Sequence, residues 1–137
     1  MKKSVMDIAV NQVQGTDPVA ILQAQGELDR FTYLDLINKA RELYENGQRR
    51  LIVDMSGVRE VGLSGFFALY SVAMLFRGEK PLDPEGGMAA FRWMADYMHD
   101  VSHRIRLLKP QSHLQKALSR SGLPIYDDLA GAIASFK

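Results

Sequence analysis

Apolar residues in the first part of the chain fall in short continuous runs, whereas later ones recur every three to four positions. This change of period separates strands from helices. "VAILQAQGELD" (19–29) is aliphatic and β-branched, has Gly26 near its end and follows the turn signal "GTDP". It predicts a strand, paired with an earlier one around "SVMDIAV". Thr32, followed three positions later by Asp35, has the form of a capping box. Leu36, Ile37, Ala40, Leu43 and Tyr44 then keep helical spacing until "ENG" stops the helix.

"RRLIVDMS" reads as a short buried strand, and "GVREVGLSG" leads from it into "FFALYSVAMLF", a helix apolar nearly all round that must lie against a sheet. "RIRLLKP" predicts a further strand, "SHLQKALSRSG" a helix closed by Gly122, "PIYDD" a short strand and "LAGAIASF" a terminal helix. After the opening strand pair, strand and helix alternate. Such a chain builds a largely parallel sheet through right-handed crossovers, with an antiparallel edge from its first strand. A single domain over 1–137 is expected, interrupted at about 77–102 by "RGEKPLDPEGGMAAFRWMADYMHDVS". The first half of that segment is a Pro/Gly loop, and the second has helical spacing at Phe91, Met94, Met98 and Val101. Its Met88, Phe91, Trp93, Met94, Tyr97 and Met98 exceed what one face of a short helix can hide. The segment either packs on its own domain, the commoner outcome, or offers a contact surface.

Composition narrows the classes. At 137 residues, 47% hydrophobic and 24% charged, the chain is long enough to bury its own core. A net charge of +1 gives no domain-wide field towards nucleic acid or anionic lipid, although Arg49, Arg50 and "RIRLLK" are locally basic, so no nucleic-acid partner is expected. The absence of cysteine rules out disulfides and thiolate metal sites and fits a reducing compartment. Lys2 and Lys3 imitate the start of a signal peptide, but Asp7, Asn11 and Gln12 arrive before an apolar core develops. The uncharged run from Val61 to Phe76 is shorter than the ~20 residues of a membrane span. Neither export nor direct membrane insertion is expected.

Ser64, between Gly62-Leu63 and Gly65 at the mouth of the most apolar stretch, invites three readings. As a helix N-cap it would accept a backbone N–H, an effect of about 1 kcal/mol. As a nucleophile elbow it would make the protein a serine hydrolase, but Phe66 stands where the elbow needs glycine, and no early Gly-rich stretch completes an oxyanion hole. As a phosphoacceptor it would hold a phosphoryl group against free helix N–H groups, with the added charge blocking an apolar or acidic partner. "HDVSH" spaces His99 and His103 like a zinc-protease motif but carries Asp for its Glu, and no metal or cofactor is expected.

"QGELD", "RRLIVDMSGV", "GLSGFFAL", "LLKPQSHLQKALSRSGL" and "DLAGAIASF" occur in that order over almost the whole chain. In that order they resemble the STAS domain of bacterial anti-sigma factor antagonists and of related transporter and stressosome proteins. The resemblance implies an α/β fold with a four- or five-stranded mixed sheet and helices mainly on one face. It also implies a non-enzymatic, cytoplasmic protein-protein interaction module. Its partner would be an anti-sigma factor that is also a serine-protein kinase, in a phosphorylation-controlled switch that regulates transcription. The alternative within the family is a scaffold subunit of a stressosome-type or transporter-associated complex, and homodimerisation stays open. The family loop reads Asp-Ser-Ser-Gly or Asp-Ser-Thr-Gly, phosphorylated just before the glycine. Ser64 and Gly65 match its last two positions, while Gly62 and Leu63 replace the Asp and the first Ser. By resemblance the partner surface comprises Asp29, Gly62, Leu63, Ser64, Gly65 and Phe66, with an apolar rim of Leu63, Phe66 and Phe67. Asp29 and Asp54 match other family positions; the competing reading for both, stronger for Asp54, is a carboxylate bonding nearby backbone N–H groups.

Overall fold

In β1 (Met6–Val13), half-buried Met6, Ile8 and Val10 alternate with exposed Asp7, Ala9 and Asn11, the pattern of a strand with one solvated face. It pairs antiparallel with β2 (Val19–Leu28), from Met6 opposite Gly26 to Val13 opposite Val19. β3 (Leu51–Val61), β4 (Ile105–Leu108) and β5 (Ile125–Tyr126) follow in parallel, giving a five-stranded sheet ordered β1-β2-β3-β4-β5. Between the strands lie α1 (Tyr33–Glu45), α2 (Leu63–Phe76), α3 (Ser112–Ser119) and, last, α4 (Leu129–Ala134). The computed structural model describes residues 6–13, 18–78 and 104–136. Most of the 77–102 segment, with its Met and aromatic residues, and the His99–His103 pair lie outside the described residues.

The mixed sheet and its antiparallel first edge agree with the sequence. Ala20, Leu22, Ala24 and Leu28 of β2 and Leu51, Val53, Met55 and Val58 of β3 point to one face, where they join α1, α2 and the Leu114 and Leu118 side chains of α3. Val19, Ile21, Ile52 and Leu108 point to the other face and meet Ala132, Ile133 and Phe136 at the C-terminal end. Among the described residues, three helices therefore cover one face and the short α4 covers part of the other. α2 is buried from Phe67 to Phe76 without interruption, as its all-round apolarity requires. Among the described residues no helix is long and apolar enough to cross a membrane.

Two local expectations need correction. β3 does not end near Ser56 but runs on to Val61. The register shifts between Gln23 and Gln25 and between Gly26 and Glu27 let β2 follow it, and the pairing closes at Leu28 opposite Val61. Gly26 takes φ 119° at the second irregularity, a conformation that favours glycine. A side chain at Gly57 would put a β-carbon 2.7 Å from Gln25 Cγ, so the tight strand contact also selects glycine there. The capping box at Thr32 does not form either. Thr32 occupies the N-cap position of α1, but its hydroxyl donates to the Glu27 carbonyl (2.6 Å) and accepts from the Asp29 N–H (3.0 Å), tying the end of β2 to the helix start.

Candidate functional site

The end of β3 and the end of β2 arrive side by side because Leu28 pairs with Val61. One residue later the Gly62 N–H donates to the Leu28 carbonyl (2.9 Å), and the Phe66 N–H donates to the Gly62 carbonyl (3.1 Å), which opens α2. Gly62 is therefore the N-cap, in extended conformation with φ −85° and ψ −177° and no side chain to cap with. Ser64 is the second residue inside the helix. The expectation that its hydroxyl caps α2 is overturned, because the turn is set by the backbone of Gly62 two residues earlier.

This displacement changes what Ser64 can do. Helix geometry leaves the N–H groups of Leu63, Ser64 and Gly65 without intrahelical acceptors, and Ser64 stands half-buried among them. An anion on its hydroxyl would sit at the positive end of a 14-residue helix. Gly65 has a steric role. A β-carbon there would lie 2.5 Å from the Leu28 carbonyl oxygen and 2.9 Å from both Leu28 Cγ and Val61 Cγ1. Only glycine lets the first turn of α2 approach the strand ends so closely.

Gly62 is not crowded in this way. A β-carbon there would meet Asp29 Cβ at 3.8 Å and the Leu28 carbonyl oxygen at 3.9 Å, ordinary contact distances. A side chain could therefore start at position 62 without a clash at its β-carbon, and the main chain already has the conformation of an N-cap.

The structure places Asp29 next to Gly62. Its Oδ1 accepts from the Phe31 N–H (2.9 Å) and lies 3.4 Å from the Thr32 hydroxyl, so it also shapes its own turn. Asp54 does not join this group. It sits mid-strand, paired with Gln23 and Leu108, and accepts from the Ser56 N–H at 3.0 Å.

The apolar rim is redistributed. Leu63 is 52% exposed and Phe66 is half-buried against the main core, but Phe67 is buried, edge-on to the Tyr33 ring with centroids 6.1 Å apart. In place of Phe67 the surface carries Phe31 (43% exposed) and Leu34 (46%), on the loop and first helical turn that follow Asp29. These two and Leu63 are three of the four exposed large hydrophobics among the described residues, so the apolar surface gathers at this end of the sheet. Arg30 lies over the Phe31 ring, 4.7 Å from its centre. A signal for Leu34 was present in the sequence. At helical spacing it shares a face with Asn38 and Arg41, both exposed, so it is an apolar residue on a polar face.

Comparison with known proteins bears on the family and the fold. A family model described as the STAS domain matches residues 11–79, half of the chain, including β2, α1, β3 and α2. No curated protein sequence matches. Among solved structures, an anti-sigma factor antagonist from Mycobacterium paratuberculosis is similar with 16% identity and a TM-score of 0.58, over 95% of this chain and 94% of that one. The anti-sigma factor antagonist SpoIIAA in its unphosphorylated form is similar with 13% identity and a TM-score of 0.51, over 92% and 94% of the two chains. At these identities the likeness is one of fold.

Proposed function

We propose, from the premise that the chain belongs to the STAS domain family, that it acts as an anti-sigma factor antagonist. In this reading it docks on an anti-sigma factor kinase through the corner where β2, α1, β3 and α2 meet. One observation carries the proposal. Ser64 stands among open helix N–H groups, beside an exposed apolar cluster of Phe31, Leu34 and Leu63. Burying such a cluster favours association by roughly 25 cal/mol for each Å² of apolar surface removed from water, before the costs of docking are subtracted.

The same corner supports a switch. A phosphoryl group on Ser64 brings a charge of about −1.5 to −2, which the helix N-terminus tolerates and an apolar contact does not. Folding would be little changed while docking is weakened. Gly62 and Leu63, in place of the family's Asp and Ser, leave the apolar character of the rim stronger and remove an acidic group a kinase could read. The reading therefore puts docking first and phosphorylation as its control.

The test uses a partner isolated with the full chain as bait and identified by mass spectrometry. Its affinity is measured for the unmodified chain, Ser64→Ala and Ser64→Asp. An ATPase of the anti-sigma factor kinase type, bound well by Ser64→Ala and at least about tenfold more weakly by Ser64→Asp, supports the switch. Equal binding by the two variants ends the switch and leaves docking. Recovery of another STAS protein or a transporter subunit in its place favours a scaffold.

A further inference from the structure

β1 forms the first edge of the sheet, and among the described residues no other strand takes up its outer side. It pairs with β2 at every position from Met6 opposite Gly26 to Val13 opposite Val19 without a shift, unlike β2 on β3, so its outer rim is regular. In an antiparallel ladder alternate residues turn their N–H and C=O groups to that rim, where they can template another strand. Proteins commonly blunt such an edge with lysine, proline, a bulge or a very short strand. β1 has none of these: over MDIAVNQV its one charged side chain is Asp7. The opposite edge is guarded by its length, since β5 consists of Ile125 and Tyr126 alone.

We infer that this edge pairs two copies of the chain, β1 antiparallel to β1, across a twofold axis at Ala9. A twofold perpendicular to the sheet keeps every side chain on its own face, so the match can be read residue by residue. With the axis at Ala9, Ile8 of one copy meets Val10 of the other on the helix-covered face, where both are half-buried and packed against the core. On the solvated face Asp7 meets Asn11, whose side-chain amide can donate to the carboxylate. Neighbouring axes match less well. With the axis at Ile8, Asp7 faces Ala9; at Val10 it faces Val13; at Asp7 the two carboxylates oppose each other. Pairing of β1 with the two-residue β5 of another copy would hold little, so growth stops once two β1 edges have met.

The pairing leaves the Ser64 corner open. Antiparallel β1 strands send the Leu28 ends of the two β2 strands in opposite directions. Ala9 lies opposite Gln23, and five strand residues at about 3.3 Å each put Leu28 about 17 Å from the axis. The dimer therefore carries one such corner towards each end, and its formation does not depend on the docking reading. A contact made by one strand belongs with the small, transient interfaces below about 1,200 Å2, so a reversible monomer–dimer equilibrium is expected.

The test is sedimentation equilibrium of the full chain from about 1 µM to 1 mM, a range that covers weak association. The weight-average mass should rise from 15.4 kDa towards twice that value and no further. Ala9 is exposed, so Ala9→Lys and Ala9→Glu should keep the urea midpoint of the parent. Each sets like charges against each other across the axis and should move the association midpoint to at least about tenfold higher concentration. An equimolar mixture of the two variants sets lysine against glutamate and should associate at least as well as the parent. Ser64→Asp should leave the midpoint unchanged, which separates this edge from the docking corner. A chain that stays monomeric throughout, as it would if another of its own segments covered β1, overturns the inference. So does association that ignores both Ala9 variants, a mixture that fails to recover, or a mass that grows beyond the dimer.

Discussion

Gly65 is placed so that a β-carbon on it would stand 2.5 Å from the carbonyl oxygen of Leu28, 37 positions earlier in the chain. That contact fixes the first turn of α2 against the ends of β2 and β3, and with it the position of Ser64. Gly65→Ala must push the helix and strand apart. It is expected to destabilise by about 1–3 kcal/mol, the range for overpacking a tight site, and to weaken partner binding as well. Urea denaturation of the variant measures the first effect; unchanged stability would mean that the contact is loose.

Position 62 should respond in the opposite sense. Gly62→Ser supplies the missing cap oxygen in a backbone conformation suited to it, with room for the β-carbon, and restricts the unfolded chain. A gain of roughly 0.5–1 kcal/mol is expected from thermal or urea unfolding. Gly62→Asp adds an anion at the helix start but sets it near Asp29, so its gain should be smaller at low salt and approach that of Ser as salt screens the pair. A loss of stability in both variants would contradict Gly62 as the N-cap.

Ser64→Ala, by contrast, should change stability by less than about 0.5 kcal/mol, because the cap lies two residues away. A loss near 1 kcal/mol would restore the capping role that the sequence alone suggested.

Much of the fold was legible because burial repeats. The switch from apolar runs to three- and four-residue spacing marked every described strand and helix in its order, and the unbroken burial of α2 followed from its composition. The site was less legible, because it depends on contacts between distant segments. Arg59 and Glu60 are exposed and fell in the stretch expected to lead from strand to helix, yet pairing with β2 across the irregularities at Gln25 and Gly26 carries β3 through them to Val61. Which residue caps α2 was decided by Gly62 bonding back to Leu28, and no window around "GLSG" contains Leu28. Phe67, expected in the exposed rim, is buried, and Leu34, for which no expectation was formed, is exposed, because helical phase, not hydrophobicity, assigns them.

Tyr70 makes a prediction about pH. Burial pushes its phenol above the ordinary value of 10.0, so the folded chain keeps that proton to higher pH than the unfolded chain. The stability linked to this group is complete below pH 10 and is lost as pH climbs through the folded value. Tyr70→Phe removes the hydrogen bond to the Ser121 carbonyl (3.2 Å) and should cost about 1 kcal/mol at neutral pH, but its alkaline decline should be shallower than that of the parent. Urea unfolding between neutrality and pH 11 distinguishes the two slopes; parallel curves would show that Tyr70 does not titrate differently on folding.

The exposed pair Phe31 and Leu34 should matter to binding and not to folding. Phe31→Ser with Leu34→Ser removes apolar surface that no core residue covers, so stability should stay within about 0.5 kcal/mol of the parent. Affinity for the partner should fall by at least tenfold, about 1.4 kcal/mol, if both side chains lie in the contact. A double variant that binds as well as the parent would move the contact elsewhere.

The docking corner itself is tested most directly by a photo-crosslinking amino acid placed at Leu63 in the full chain, expressed in its own cells, with the crosslinked product identified by mass spectrometry. The account predicts a single anti-sigma factor kinase product that is lost when Ser64→Asp is added and absent when the crosslinker is placed at exposed Lys116. No product at position 63, or the same product from both positions, would contradict it.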